Sequence, residues 1–263
     1  METEEELLEK LRPWKSRLRR LAWKPVVEAG DAGPIDSKFS GKPWISKNNQ
    51  WPVCKLCELQ MQFFLQINLD KLPSELNGKF GSGLLQFFYC TRDDCQGMGG
   101  WSPFENEMSM VRVLKPEGEA SYEHIDPQVL QFPAKKIVSW QQFNDFPHPE
   151  EHGDLGLQYT YDFKANKVKV ICNELNFDSG WLFDPELAEN ISLSKNGDKL
   201  SGWPYWIQGA EYPSCPKCSK RMELLFQVDS EDNVPFMWGD CGCGHITQCP
   251  EHKDVVGFGW ACS

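Results

Sequence analysis

The sequence predicts an α+β protein that is mainly β, in which two repeated halves each form a sheet with a zinc knuckle, behind an N-terminal helix. Three observations lead to this prediction. Short apolar runs bounded by turn residues dominate the chain after residue 30. A stretch of the first half recurs 161 positions later, so that Cys54 aligns with Cys215. Both copies carry a Cys-x2-Cys pair followed by further potential metal ligands.

The N-terminal segment, residues 1–30, is predicted to be helical over residues 1–24. Its acidic residues come first and its basic residues last, which is the order that a helix dipole favours. Pro13 is expected to break or kink this helix. We predict a solvated helix that docks on the rest of the protein, in preference to a partner-binding arm.

Residues 31–263 are predicted to form a single duplicated domain. Its first half covers about 31–114, a connection rich in Glu, His, Pro and Asp covers about 115–165, and its second half covers about 166–263. The predicted strands are residues 61–67, 84–90, 108–114, 167–172 and 255–262. Short helical turns are expected at 70–75, 140–143 and 185–189.

The internal repeat keeps its register over a long stretch. Four pairs share the offset of 161 positions: Cys54 with Cys215, Cys57 with Cys218, Met61 with Met222, and Gln66 with Gln227. Residues 41–44 and 202–205 keep the same offset. Further on, residues 83–90 match 242–249 and residues 100–101 match 259–260 at an offset of 159. A deletion of two residues in the second copy explains the change of offset.

The cysteines of each half predict a structural zinc site. A Cys-x2-Cys turn offers two sulfurs, and a second pair arrives from the end of a distant strand. The predicted ligands are Cys54, Cys57, Cys90 and Cys95 in the first half, and Cys215, Cys218, Cys249 and His252 in the second half. Because four protein ligands leave no open position for water or substrate, both zinc ions are predicted to be structural.

Three further residues leave the second ligand set open. Cys241, Cys243 and His245 lie close in sequence to Cys249. If residues 243–249 form one strand, its ends are about 20 Å apart, too far for both to bind one ion. We prefer Cys249, which aligns with Cys90, and keep His245 or Cys243 as the alternative. Cys172 and Cys262 lie in apolar runs, and we predict that they are buried thiols.

The sequence shows no catalytic motif, so the enzyme class is not supported. It contains no HExxH, GxSxG or P-loop pattern, and no histidine forms a recognisable pair with a nucleophile. Trp44, Trp51, Trp203, Tyr205 and Trp206 flank the two knuckles and could anchor a partner, although core packing is the favoured role. Gln66 and Gln227 are expected to hydrogen-bond the backbone of the facing half or of a ligand strand, and the structural role is favoured.

Motifs along most of the chain resemble those of the bacterial YwqG family. The similar segments are residues 37–44, 51–52, 64–69, 83–88, 202–208 and 238–240. The resemblance runs from about residue 30 to the C-terminus and implies a mainly β structure built by duplication. That family is largely of unknown function. Some of its members lie near bacterial toxin systems, which implies an immunity role as one alternative.

The cysteine arrangement is also similar to that of the programmed-cell-death-2 family of ribosomal-protein chaperones. The similar residues are Cys54, Cys57, Gln66, Cys90, Cys95, Cys215, Cys218, Gln227 and Cys249. This sequence departs from that family at His252, where a cysteine is usual, and in lacking longer acidic segments between the halves. The resemblance implies a protein that holds a basic client before assembly.

Charge points to the same kind of partner. The 263 residues include 27 Lys and Arg against 38 Asp and Glu, a net charge of −11. Nucleic acid is therefore not expected as the main partner, because its recognition needs clustered positive charge. No apolar run is long enough to span a membrane, and the acidic N-terminus differs from a secretory signal.

We predict a cytoplasmic, or also nuclear, non-catalytic module that binds a basic protein as a chaperone or adaptor. The alternatives are an immunity-like inhibitor of a toxin and an enzyme of unrecognised class.

Overall fold

A computed structural model of the chain describes residues 4–47, 50–95, 100–122, 125–182 and 194–263. Within them the structure is mainly β, as predicted. The α-helices are α1 (Glu4–Leu18) and α2 (Pro149–His152). The strands are β1 (Arg20–Ala29), β2 (Lys38–Phe39), β3 (Gln62–Asn68), β4 (Leu84–Tyr89), β5 (Ser109–Leu114), β6 (Lys135–Asp145), β7 (Leu157–Asp162), β8 (Lys167–Cys172), β9 (Phe177–Asp178), β10 (Lys199–Ser201), β11 (Glu223–Asp229), β12 (Cys243–Gln248) and β13 (Val256–Ala261). Short 3-10 helices cover Leu69–Lys71, Ser74–Leu76, Pro127–Leu130 and Asn173–Leu175.

Ten strands form one antiparallel sheet in the order β13-β12-β11-β10-β1-β6-β2-β3-β4-β5. The edge strands β13 and β5 approach each other, so the sheet curls into a nearly closed barrel. The two halves thus share one sheet, where the sequence predicted a sheet for each. The reason lies at the centre: β1 pairs with β10 of the second half, and β6 pairs with β2 of the first. Strand β1 lies in the predicted N-terminal segment and β6 in the predicted connection, so two strands from outside the predicted halves join them into one sheet.

The pairing register repeats between the halves. Lys38 faces Gln66 across β2 and β3, and Lys199 faces Gln227 across β10 and β11, both at the offset of 161 positions. A β-bulge interrupts β3 between Phe63 and Leu65 and interrupts β11 at the equivalent place. Strand β13 pairs with β12 as β5 pairs with β4. The structural counterpart of β13 is therefore β5.

The proposed match of residues 100–101 with 259–260 is consequently wrong. Trp101 packs directly on Gly259, where an added Cβ would lie 2.6 Å from its ring. Nearby, Pro103 O accepts a hydrogen bond of 3.1 Å from Phe258 N, and Gly100 O accepts one of 3.3 Å from Trp260 N. The segment around residues 100–104 thus covers β13, and the shared Gly-Trp pair does not mark equivalent positions.

Aromatic side chains from both halves fill the inside of the barrel. Phe87 of β4 and Phe258 of β13 have ring centroids 4.2 Å apart, and Trp238 packs on Phe64 at 5.6 Å. All four are fully buried. Offset and edge-to-face aromatic pairs add stabilisation beyond the buried area. The core therefore joins the halves.

Helix α1 packs on a second, smaller core. Leu7, Leu11, Trp14 and Leu18 recur at helical spacing and are buried. They contact the three-stranded sheet of β7, β8 and β9, which the predicted connection and the start of the second half supply. The helix thus docks, as predicted, and it continues through Pro13, which does not break it.

Three helical predictions need correction or fall outside the described residues. The helix predicted over residues 1–24 ends at Leu18, because residues 20–29 form β1 and pair with β6 and β10. Residues 140–143 lie in β6 and not in a short helix. In both cases long-range pairing decides the structure against local preference. The helix predicted at residues 185–189 lies outside the described residues.

Candidate metal centres

The first candidate centre unites the knuckle before β3 with the residues that follow β4. The knuckle is a tight turn: Cys54 N donates to Leu59 O at 2.8 Å, and Glu58 N donates to Cys54 O at 2.9 Å. Cys90 directly follows β4, and its N donates to Met108 O at 2.8 Å. These backbone contacts bring the sulfurs of all four predicted ligands within 4.8 Å of one another. The group is Cys54, Cys57, Cys90 and Cys95.

The second candidate centre has the same construction. Cys215 N donates to Lys220 O at 2.8 Å, which closes a knuckle with the same hydrogen bonds as the first. Cys249 directly follows β12, and its N donates to Val255 O at 3.0 Å. The four predicted ligand atoms again lie within 4.8 Å of one another. The group is Cys215, Cys218, Cys249 and His252.

Distances within the groups suit a tetrahedral ion. Cys54 and Cys95 have sulfurs 3.7 Å apart, and Cys218 and Cys249 have sulfurs 3.6 Å apart. His252 Nδ1 lies 3.7 Å from the sulfur of Cys249. Bonds of about 2.3 Å from one zinc ion to two thiolates separate the sulfurs by about 3.8 Å. Both groups could therefore hold a metal ion, and no disulfide joins the cysteines.

Backbone amides support the thiolate form in the second group. The amides of Glu251 and His252 point at the sulfur of Cys249, at 3.4 and 3.2 Å. Although burial acts in the opposite direction, these hydrogen bonds lower the pKa of the Cys249 thiol to about 6. In the first group, burial raises the pKa of Cys90 instead. Because a metal binds the thiolate, the Cys249 sulfur is prepared for it at neutral pH.

The alternative ligands lie outside the second group. The sulfur of Cys243 lies 3.8 Å from Val228 O inside the sheet, and Cys241 is exposed. His245 Nε2 lies 3.1 Å from the carbonyl oxygen of Tyr205. Of the two predicted buried thiols, Cys172 is fully buried, as expected, whereas Cys262 is half-buried.

The flanking tryptophans belong to the core. Trp44, Trp51, Trp203 and Trp206 are all buried, and Tyr205 is half-buried. Trp51 Nε1 donates to Met61 O at 2.8 Å, which ties the first knuckle to the start of β3. Core packing, the favoured role, therefore holds for the four tryptophans.

Gln66 and Gln227 hydrogen-bond backbone groups in a structural role, but the partners belong to their own halves and not to the facing half. Gln66 Oε1 accepts from Trp44 N at 2.9 Å, and its Nε2 donates to Asp36 O at 2.9 Å. Gln227 repeats this pattern with Tyr205 N at 2.8 Å and Gly197 O at 2.9 Å. These glutamines hold the loops that precede the knuckles.

The sequence did not predict the ion pairs of two buried lysines, one in each half. Lys199 Nζ donates to Asp145 Oδ2 at 2.9 Å, and both side chains are almost fully buried. Lys38 Nζ makes the equivalent contact with Asp31 at 2.9 Å. The signal was present, since Lys38 and Lys199 share the offset of 161 positions. The two aspartates were not predicted as partners because Asp145 ends β6 and Asp31 follows β1, and the sequence did not predict either strand.

The fold and the two groups define a mainly β protein with two cysteine-rich clusters that could hold metal ions. The chain belongs to the family described as a domain of unknown function, DUF1963, which matches residues 37–251. A segment of 48 residues is 40% identical to the uncharacterized protein YpfL of Salmonella typhimurium. It covers 18% of this chain and 11% of YpfL, so the match spans a small part of either protein. The resemblances to the YwqG and programmed-cell-death-2 families stay predictions. None of the described helices is long and apolar enough to cross a membrane.

Proposed function

We propose that each centre holds one structural zinc ion and that the protein is a non-catalytic binding module for a basic protein partner. The zinc assignment rests on the ligand chemistry, because thiolates with one imidazole at tetrahedral spacing are typical of zinc. Four protein ligands fill the coordination shell, so each ion would act on stability and not on a substrate. The closed four-residue groups carry this part of the proposal.

The first knuckle supports the proposed binding role. It exposes three apolar side chains, Val53, Leu56 and Leu59, each more than two-fifths exposed. Asp93 and Asp94 are exposed between the ligands Cys90 and Cys95. We call these five residues the first knuckle surface. Apolar side chains beside carboxylates suit a partner segment that carries both apolar and basic residues.

The second knuckle differs in a way that provides an internal control. Lys217 pairs with Asp254 at 2.5 Å, and Lys220 pairs with Glu251 at 2.5 Å. Its carboxylates are therefore already balanced by lysines of the same centre. The net charge of −11 favours a basic partner, and the first knuckle surface offers less compensated acidic charge for it.

The test combines metal analysis with capture of a partner. Protein purified without chelator should contain about two equivalents of zinc by mass spectrometry. Affinity purification at low salt should recover a basic protein that is released as salt rises. The double variant Asp93→Asn/Asp94→Asn should weaken its capture, whereas the matched double variant Glu251→Gln/Asp254→Asn should not. Recovery of no basic protein, or equal loss in both variants, would overturn the binding role. Less than one equivalent of zinc would overturn the metal assignment.

A further inference from the structure

A small open pocket lies beside the second knuckle, and none of its lining residues is a candidate metal ligand. Its volume is about 230 Å³, and it lies between the start of β1, α2 and the start of β11. The lining residues are Arg20, Glu151, Asp154, Leu155, Trp203, Tyr212, Arg221, Met222 and Glu223. Neither the metal centres nor the proposed knuckle surface uses these side chains.

Two arginines of the pocket lie over aromatic rings. The Arg20 guanidinium carbon is 3.3 Å from the ring centroid of Trp203, and that of Arg221 is 3.5 Å from the ring centroid of Tyr212. Both rings are fixed, because Trp203 Nε1 donates to Leu18 O at 2.8 Å and Tyr212 OH donates to Glu151 Oε1 at 2.8 Å. Stacking orients a guanidinium and leaves its N–H edge available for a ligand.

The arginines differ in how far their charge is compensated. Arg221 lies 3.3 Å from Glu151, whose carboxylate is almost fully buried and also accepts from Trp206 Nε1 at 2.8 Å. Among the described residues Arg20 makes no ion pair at contact distance, although its positive charge also acts on the Glu151 carboxylate. Its contact beyond Trp203 is a long one, 3.5 Å to Gly202 O. Arg20 is thus a positioned cation with an unused hydrogen-bonding edge.

The first half contains the equivalent pocket without these arginines. That pocket has a volume of about 160 Å³ and includes Gln60 and Gln62, which align with Arg221 and Glu223. Gln60 Oε1 accepts a hydrogen bond of 2.8 Å from Asp126 N, so this side chain already has a partner within the protein. The first-half pocket has one charged lining residue, Arg92, which lies 3.3 Å from Asp126. The two arginines stacked on aromatic rings are a feature of the second-half pocket.

We infer that this pocket binds the C-terminal carboxylate of a peptide that carries basic residues, with Arg20 and Arg221 as its ligands. The pocket has room for about one terminal residue, and the partly exposed Leu155 gives that residue an apolar contact. Asp154 and Glu223 lie on the same lining, where they disfavour each further negative charge on the ligand and attract a positive charge beside it; Glu223 also lies 3.9 Å from Lys79 Nζ. A peptide terminus with a carboxylate and a nearby basic side chain therefore complements both the arginines and the acidic residues of the pocket. The inference deepens the proposed function, on which it rests for the basic nature of the partner.

The test is direct titration of the full-length zinc-loaded protein by calorimetry. The probe is a short peptide that ends in Lys-Lys-Leu with a free carboxylate, and the comparison is the same peptide as its C-terminal amide. The free acid should bind at least about tenfold more tightly than the amide, because the amide cannot form a charge-assisted hydrogen bond with the arginines. Inorganic phosphate and free leucine should compete weakly.

Variants separate the pocket from the rest of the protein. Arg20→Gln and Arg221→Gln should each lower the affinity for the free acid about tenfold, and Arg221→Gln recreates the glutamine of the first half. Arg92→Gln, in the equivalent pocket, should leave the affinity unchanged. Zinc content and melting temperature report whether each variant folds. Equal binding of acid and amide, unchanged affinity in both pocket variants, or competition by phosphate as strong as by the peptide would overturn the inference. Salt-sensitive capture at the first knuckle surface would still stand in each case, so failure here is distinguishable from failure of the proposed function.

Discussion

Gln86 and His245 occupy equivalent places in the two halves and serve the same backbone contact. Gln86 Nε2 donates to Trp44 O at 2.7 Å, and His245 Nε2 donates to Tyr205 O at 3.1 Å. Gln86 Oε1 also accepts from Arg112, whereas His245 Nδ1 has no hydrogen-bond partner among the described residues. One half therefore uses a neutral amide where the other buries a group that can take up a proton.

We expect His245→Gln to make the protein less sensitive to acid. Burial lowers the pKa of His245 to about 3, below its usual value of 6.5. The unfolded chain therefore takes up a proton that the folded chain refuses, so stability is lost as pH falls from 6.5 toward 3. Between pH 7 and pH 5 the native histidine should cost up to about 2 kcal/mol. Urea unfolding of both proteins at the two pH values measures the difference.

The comparison cancels the effects of the other histidines, because His148, His152 and the candidate ligand His252 are present in both proteins. The variant keeps a donor for Tyr205 O, as Gln86 does for Trp44 O. If the native protein and the variant lose the same stability between pH 7 and pH 5, His245 does not carry the effect.

Cys54→Ser and Cys215→Ser should each remove one zinc equivalent and unfold much of the protein. Hydroxyl groups are poor zinc ligands, and the loss of one of four ligands opens the site. The shared aromatic core should spread the damage beyond the half that carries the change. Zinc content and far-UV circular dichroism measure the two effects. Cys241→Ser, at an exposed cysteine outside both groups, is the control and should change neither.

Gln66→Met should destabilise the fold by about 3 kcal/mol. The change removes the hydrogen-bond acceptor of Trp44 N, and the carbonyl oxygens of Pro34 and Asp36 each lose one hydrogen bond. Gln227→Met should have a similar effect in the second half. The control is Gln141→Met at an exposed position of β6. Urea unfolding gives the free energies, and a Gln66→Met protein as stable as the control would contradict the structural role of this amide.

Lys199→Met should cost more stability than Lys38→Met. Removal of Lys199 leaves the carboxylate of Asp145 fully buried, and loss of one partner from a buried pair typically costs about 3 to 5 kcal/mol. Asp31, in contrast, is 37% exposed and can be hydrated when Lys38 is replaced. Equilibrium unfolding ranks the two variants. Adding Asp145→Asn to Lys199→Met should restore part of the loss, and no restoration would place the cost in packing instead of charge.

The metal groups were accessible from the sequence because their geometry is local. A Cys-x2-Cys turn closes on itself through short-range hydrogen bonds, and Cys90 and Cys249 follow apolar runs that alternate with turns. The alignment of Cys249 with Cys90 also selected it over Cys243, which the structure places inside the sheet. The repeated spacing of the cysteines was therefore enough to predict both groups of candidate ligands.

Strands β1 and β6 could not be predicted in the same way. Each is stabilised by pairing with the other and with the opposite half, and neither contact is visible in a local pattern. The pocket of Arg20, Glu151 and Arg221 has the same origin, because its residues come from three distant segments. Equivalent glutamines in the first half gave no hint of charge at this place.

The pairing of β1 with β10 and of β6 with β2 also has a consequence for synthesis on the ribosome. Strand β2 lies against β6, so it lacks that neighbour until residues 135–145 have left the exit tunnel. Strand β1 waits longer still for β10, at residues 199–201. A nascent first half therefore carries unpaired strand edges through much of translation, and such edges invite aggregation. Until the second half has been synthesised, other contacts must cover these edges if the nascent chain is to avoid aggregation.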